Sequence, residues 1–224
     1  MCKDSLPDWE DVLTSAAHLQ EILSGAVLVG GTAAALYSEH RFSRDADHML
    51  PDLTAHFDEI VLKLESVAGW KTARIKRPVL ILGNLDGIET GVRQLIREIP
   101  LETTHMVVHG KTITLPTRAE MLRIKAVLIL KRNATRDYLD FAALADSLDR
   151  QALCSALLKF DTFYPQPSGE SALQQLTVQL SAPLPFDLDQ TELSGYKNLK
   201  SPWTDWKNVE NKCRNVAATI FDEI

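Results

Sequence analysis

The sequence predicts a mixed α/β protein, with a small mixed sheet and flanking helices over residues 1–115 and a helical region over 116–224. Three observations lead there. Short apolar runs closed by glycine, such as Ala26-Val27-Leu28-Val29 before Gly30-Gly31, read as buried strands. Stretches with apolar residues at i, i+3 and i+4 read as amphipathic helices. At Pro116 the strand-and-turn pattern gives way to helical periodicity.

Taken in order, Pro7-Asp8 opens a helix whose apolar face is Trp9, Val12, Leu13, Ala16, Leu19, Ile22 and Leu23, and Ser24-Gly25 ends it. Ala26–Val29 is the first strand, Gly30-Gly31 breaks it, and Thr32–Glu39 returns to a helical composition. Asp45–Leu50 reads as a second strand and Leu53–Val67 as a helix. Pro78–Leu85 and Ile88–Ile96 flank Asp86-Gly87, a two-residue hairpin signal. Met106–Val108 turns through His109-Gly110-Lys111 into Thr112–Leu115. Thr117 is an N-cap residue with Glu120 three positions on, a capping box, and helical spacing follows through Met121, Leu122, Ile124, Lys125, Leu128 and Ile129. Further helices are expected near 136–144, 149–160 and 203–221, with loops at 164–169 and 181–188.

The bulk numbers narrow the function classes. A chain of 224 residues, 45% of them hydrophobic, can bury a substantial core. A net charge of -6 argues against a surface coated in positive charge for non-specific nucleic-acid binding, although a local basic patch stays open. Cys2, Cys154 and Cys213 show no paired spacing and fit a reducing compartment. No leader-like segment and no bilayer-length apolar run is visible, so the expectation is a cytoplasmic protein with no membrane partner.

The chemistry concentrates in two places. Asp45 and Asp47 are two apart on a strand, so their side chains share a face. Adjacent carboxylates repel unless a cation neutralises them, and magnesium or manganese with substrate phosphates suits that arrangement. Gly30 and Gly31 lie between a strand and a helix start, where backbone amides can approach a triphosphate, and Thr32 adds a hydroxyl donor. The second place is basic: Arg118, Arg123, Lys125, Lys131, Arg132 and Arg136 crowd one stretch of an acidic chain. That cluster either faces a phosphate or is a solvated, salt-bridged helix face. Lys125, on an apolar stripe, either snorkels or points into a cleft.

Val29-Gly30-Gly31-Thr32 followed by Arg41-Phe42-Ser43-Arg44-Asp45-Ala46-Asp47 resembles the first motif of the AbiEii/AbiGii-type nucleotidyltransferases, toxin-like members of the polymerase-β-like superfamily. Lys125 and then Arg136-Asp137-Tyr138-Leu139-Asp140 resemble the later motifs. The resemblance implies a polymerase-β-like nucleotidyltransferase fold and transfer of a nucleoside monophosphate from an NTP to an acceptor hydroxyl on tRNA or protein. It also implies a toxin-antitoxin or phage-defence setting with a cognate antitoxin. It assigns Asp45 and Asp47 to the metal and Gly30, Gly31, Thr32, Arg41, Ser43, Lys125 and Arg136 to the nucleotide. Asp137 either pairs with a basic neighbour or acts as a base and metal-side ligand.

One part of the pattern is missing. The third carboxylate of such sites stands on a later strand, where this chain has Gly87-Ile88-Glu89-Thr90-Gly91-Val92-Arg93-Gln94. Glu89 is the nearest acid, just past the hairpin turn, and Gln94 cannot act as a base. Either Glu89 substitutes, or the chain is a catalytically degenerate nucleotide-binding relative that works as an interaction or regulatory module. His40 and His48 flank the paired acids, and His105 and His109 lack a carboxylate spaced to complete a metal site. Cys154 reads as packing, and Trp203 and Trp206 either anchor a tail helix or stack on bases.

Overall fold

The structure is a computed structural model that describes residues 8–223. The reading of the N-terminus and of Cys2 lies outside the described residues. The chain forms two compact units, one running to Ala33 and resuming over Ser43–Pro116, the other combining Ala34–Phe42 with the chain from Thr117 onward.

The first unit holds a five-stranded mixed sheet and a hairpin. Helix α1 (Trp9–Ile22) starts at Asp8, whose carboxylate accepts from backbone amides in a capping box with Asp11. Strand β1 (Val27–Leu28) leads into helix α2 (Gly30–Ser38), which begins in this unit and ends in the other. Strand β2 (Asp45–Leu50), helix α3 (Phe57–Glu65) and strands β3 (Trp70–Lys76), β4 (Leu80–Leu85) and β5 (Ile88–Gln94) follow. The order is β1-β2-β5-β4-β3, with β2 and β5 parallel and the other neighbours antiparallel. Asp86 and Gly87 both take positive φ, as a two-residue hairpin turn requires, and Gly87 N donates to Asn84 Oδ1. Strands β6 (Thr103–Val108) and β7 (Lys111–Pro116) form the separate hairpin. One face of the large sheet carries Leu50, Ile81, Leu85 and Val92 into a core completed by Leu19 of α1, by Leu23 just after it and by Phe57, Ile60, Val61 and Leu64 of α3.

The second unit is helical. It contains α4 (Arg118–Arg132), α5 (Thr135–Asp146), α6 (Arg150–Leu158), α7 (Phe160–Phe163), α8 (Ala172–Ser181) and α9 (Trp206–Glu223), with two short 3-10 turns at Leu188–Gln190 and Leu193–Gly195. Thr117 Oγ1 caps α4 by accepting from Glu120 N. The Glu120 side chain turns to Arg123 Nη2 at 2.8 Å, within a fully buried pair. Asn133 closes α4 in the left-handed conformation. Trp203, Val209, Cys213 and Val216 are buried, and Trp206 meets Tyr138 edge-on at 6.1 Å, so the C-terminal aromatics anchor a tail helix.

One expectation is adjusted and two elements are additional. Helix α3 starts at Phe57, not Leu53, because 51–56 form turns. Strand β3 and helix α8 have no counterpart in the sequence reading. The mixed α/β class with a small mixed sheet and flanking helices stands as expected.

Candidate functional site

Strand β2 alternates strictly. Ala46, His48 and Leu50 are buried, and Asp45, Asp47 and Met49 are half-buried on the other face. The two carboxylates therefore stand side by side, and the Asp47 side chain is 28% exposed. Ser43 Oγ donates to Asp45 Oδ1 at 2.5 Å and fixes that carboxylate.

The glycine bend comes to the same place. Val29 N donates to Asp47 O at 2.8 Å, which ties the end of β1 to β2. Gly30 has φ +75°, and a Cβ there would lie 3.3 Å from Asp47 Cβ and 3.4 Å from Asp47 Oδ2. Glycine is thus needed both for the backbone conformation and for the close approach. Gly30 and Gly31 form the first turn of α2, so the amides that a helix start leaves without intrahelical partners belong to the residues beside the aspartates. Thr32 departs from expectation. It is fully buried, and its hydroxyl donates to Asp45 O at 2.5 Å. That bond holds α2 against β2, and the hydroxyl is committed to it and not to a phosphate.

Strand β5 borders the two aspartates. Its parallel register sets Glu89 beside Asp45 and Gly91 beside Asp47, with Arg93 beside Met49. Glu89 is exposed and on the aspartates' face, yet among the described residues no three His, Cys, Asp or Glu side chains are grouped to hold a metal ion. Asp47 leans toward β5, so that a Cβ at Gly91 would lie 2.5 Å from Asp47 Oδ1. Arg93 Nε reaches within 3.6 Å of the same oxygen. Gln94 lies outside this face, with its amide bound to Pro51 O and Thr54 N. Two hard carboxylates flanked by Gly30 and Gly91, where an added Cβ would crowd Asp47, fit a magnesium or manganese ion.

Arg41, Lys125, Asp137 and Asp140 assemble in the second unit. Asp140 is fully buried and accepts from His40 Nε2 at 2.8 Å, Arg41 Nε at 2.8 Å and Arg41 Nη2 at 3.0 Å, with Lys125 Nζ at 2.7 Å. Burial pushes its pKa up, but Arg41, Lys125 and His40 outweigh that and hold it well below the usual carboxylate range. Asp137, also fully buried, takes a bidentate pair from Arg132 at 2.7 and 3.0 Å, with Lys125 Nζ at 3.8 Å. Lys125 accordingly neither snorkels nor reaches solvent, because its ammonium sits between two buried aspartates. The basic stretch is partly consumed in the same way. Arg123 is buried against Glu120 and the Phe163 ring, and Arg118 lies over Tyr37, while Lys131 and Arg136 are exposed. Arg41 also lies under the Tyr196 ring.

His48 is buried on the core face of β2, and burial lowers its pKa to about 4 despite the nearby Ala46 carbonyl, so it is neutral at pH 7. Gly91 and Arg93 escaped the sequence reading. The alternation Glu89, Gly91, Arg93 on a strand was the one signal for them.

No known protein-family profile matches the chain. A stretch of 130 residues is 34% identical to the mycolic acid-containing lipids exporter MmpL11 of Mycolicibacterium smegmatis, covering 57% of this chain and 13% of the exporter. A stretch of 134 residues is 33% identical to the heme uptake protein MmpL11 of Mycobacterium tuberculosis, with the same coverage. The chain thus spans about an eighth of the length of these curated relatives, and among the described residues no helix is long and apolar enough to cross a membrane. A crystal structure of a candidate nucleotidyltransferase from H. pylori superposes with a TM-score of 0.58 at 15% identity, over 99% of this chain and 97% of that one. The chain shares the fold of that candidate nucleotidyltransferase.

Proposed function

We propose that this chain is a magnesium-dependent nucleotidyltransferase of the AbiEii/AbiGii type. It moves a nucleoside monophosphate from an NTP to an acceptor hydroxyl of tRNA or protein, in the cytoplasm, as a toxin-antitoxin or phage-defence component with a cognate antitoxin. One observation carries this reading: Asp45 and Asp47 share a face directly against the glycine bend at Gly30.

The residues divide the work. Asp45 and Asp47 would hold the ion, and Ser43 keeps Asp45 oriented. The amides of Gly30 and Gly31 receive the triphosphate at the start of α2. Bound magnesium supplies electrostatic stabilisation of the charge that develops on the phosphoryl and leaving oxygens. The acceptor oxygen bonds to the α-phosphorus, the bond from that phosphorus to the bridging oxygen breaks, and pyrophosphate leaves. Glu89, exposed beside Asp45, takes the proton from the acceptor hydroxyl.

The test is to incubate the purified protein with magnesium, each labelled NTP and total RNA or protein, beside an Asp45→Ala/Asp47→Ala variant. Label transferred by the wild type and lost in the variant supports the proposal. A second reading is a degenerate nucleotide-binding relative, favoured by the absence of a three-acid group among the described residues. It predicts calorimetric nucleotide binding without transfer to any acceptor.

A further inference from the structure

We infer that Arg93 takes the place of a second divalent ion, so that the Asp45–Asp47 site accepts one divalent cation with its nucleotide. The inference rests on the nucleotidyltransferase reading above.

The geometry of β5 is the ground for it. A two-ion clamp holds its ions about 3.5–4 Å apart, and needs enough anionic oxygen to offset four positive charges. Here the strand beside β2 presents Gly91 opposite Asp47, where even a methyl group would lie 2.5 Å from the carboxylate oxygen. A third acid next to Asp47 is therefore excluded by space. Arg93, two residues on and on the same face, brings its guanidinium 3.6 Å from that oxygen. Asp47 already has a positive neighbour on its β5 side, and a dication on that side would be repelled by it. The Arg93 side chain is 45% exposed, so its fork can also meet a phosphate oxygen of the nucleotide. Asp45, Asp47, Glu89 and Arg93 together keep two units of negative charge in excess, which a single divalent ion neutralises. Arg93 is in this sense a fixed cation that cannot be chelated away.

Manganese binding tests this directly. Wild type, Arg93→Met, Arg93→Lys and Asp45→Asn/Asp47→Asn are titrated with Mn2+ in the presence of a non-transferable α,β-methylene NTP and followed by electron paramagnetic resonance. Thermal melts confirm that each variant is folded. Wild type and Arg93→Lys should bind one Mn2+ per chain with an uncoupled spectrum. Arg93→Met should take up a second Mn2+ and show the line broadening of two ions in close contact. Two coupled ions in the wild type, or a single ion in folded Arg93→Met, overturn the inference while leaving the nucleotidyltransferase reading intact. Manganese uptake that is nil in the wild type, or unchanged in the double aspartate variant, overturns both.

Discussion

A single methyl group at Gly91 separates the site from the fold. Gly91 is not among the positive-φ residues, so alanine can adopt its backbone. Its Cβ, however, would lie 2.5 Å from Asp47 Oδ1 and 3.1 Å from Leu82 Cδ2. The carboxylate oxygen must retreat by roughly 1 Å to reach ordinary contact, and a misplacement of that size can cost about 100-fold in rate. Stability should hardly change. Replacing glycine at a compatible site gains about 0.4–1 kcal/mol through the unfolded chain, and the mild contact with Leu82 works against that gain. A net effect within about 1 kcal/mol corresponds to roughly 2–4 °C in a chain of this size. Labelled-NTP transfer and a thermal melt on Gly91→Ala give both numbers. Gly83→Ala is the control. Its Cβ points to the core face, where it would meet the Trp70 ring at 2.4 and 2.7 Å and Lys71 O at 2.8 Å. Overpacking against an indole and a backbone carbonyl should lower stability by about 1–3 kcal/mol and leave turnover per folded molecule unchanged. Wild-type turnover in folded Gly91→Ala would mean that the placement of Asp47 does not matter to transfer.

The remaining predictions concern charge. Asp140→Asn should destabilise the protein by about 3–5 kcal/mol, since it leaves Arg41 and Lys125 buried without their carboxylate; denaturant titration checks this. The Asp140 pKa is held low in the fold, so its stabilisation is complete above pH ~4 and drains away as pH falls below that value. His48 acts at higher pH. Its folded pKa of about 4 lies below its ordinary value of 6.5, so the unfolded chain binds more protons between them and stability falls as pH drops through that window. The full effect is about 3 kcal/mol, and His48→Gln should flatten the slope between pH 6.5 and 4 in a series of melts. Burial raises the Cys213 thiol to about 12, so maleimide should leave it unmodified in the native protein while half-exposed Cys154 reacts, as peptide mass mapping would show.

What could be read in advance was local. The Asp45-Ala46-Asp47 alternation, the Gly30 bend, the Asp86-Gly87 hairpin and the cap at Thr117 are each set by residues a few positions apart, and each appears where expected. Strand β3 was missed because Trp70–Lys76 is a solvent-facing edge strand with a bulge after Thr72, which breaks the alternation of its charged residues. Helix α8 follows a proline- and glycine-rich loop that masks its start at Ser171. Long-range pairings leave no local trace. Nothing near Arg41 announces Asp140, which lies 99 positions away, and nothing near Asp47 announces Arg93. For the same reason the basic stretch invites a phosphate-facing reading, although Arg123, Lys125 and Arg132 are each paired with an acid.

The most direct measurement is a crystal structure with Mn2+ and a non-transferable NTP, read by anomalous scattering. A manganese peak is expected about 2.1 Å from oxygens of both Asp45 and Asp47, with triphosphate oxygens against the amides of Gly30 and Gly31. Nucleotide seated elsewhere, or a metal peak that touches neither aspartate, would contradict the proposed site.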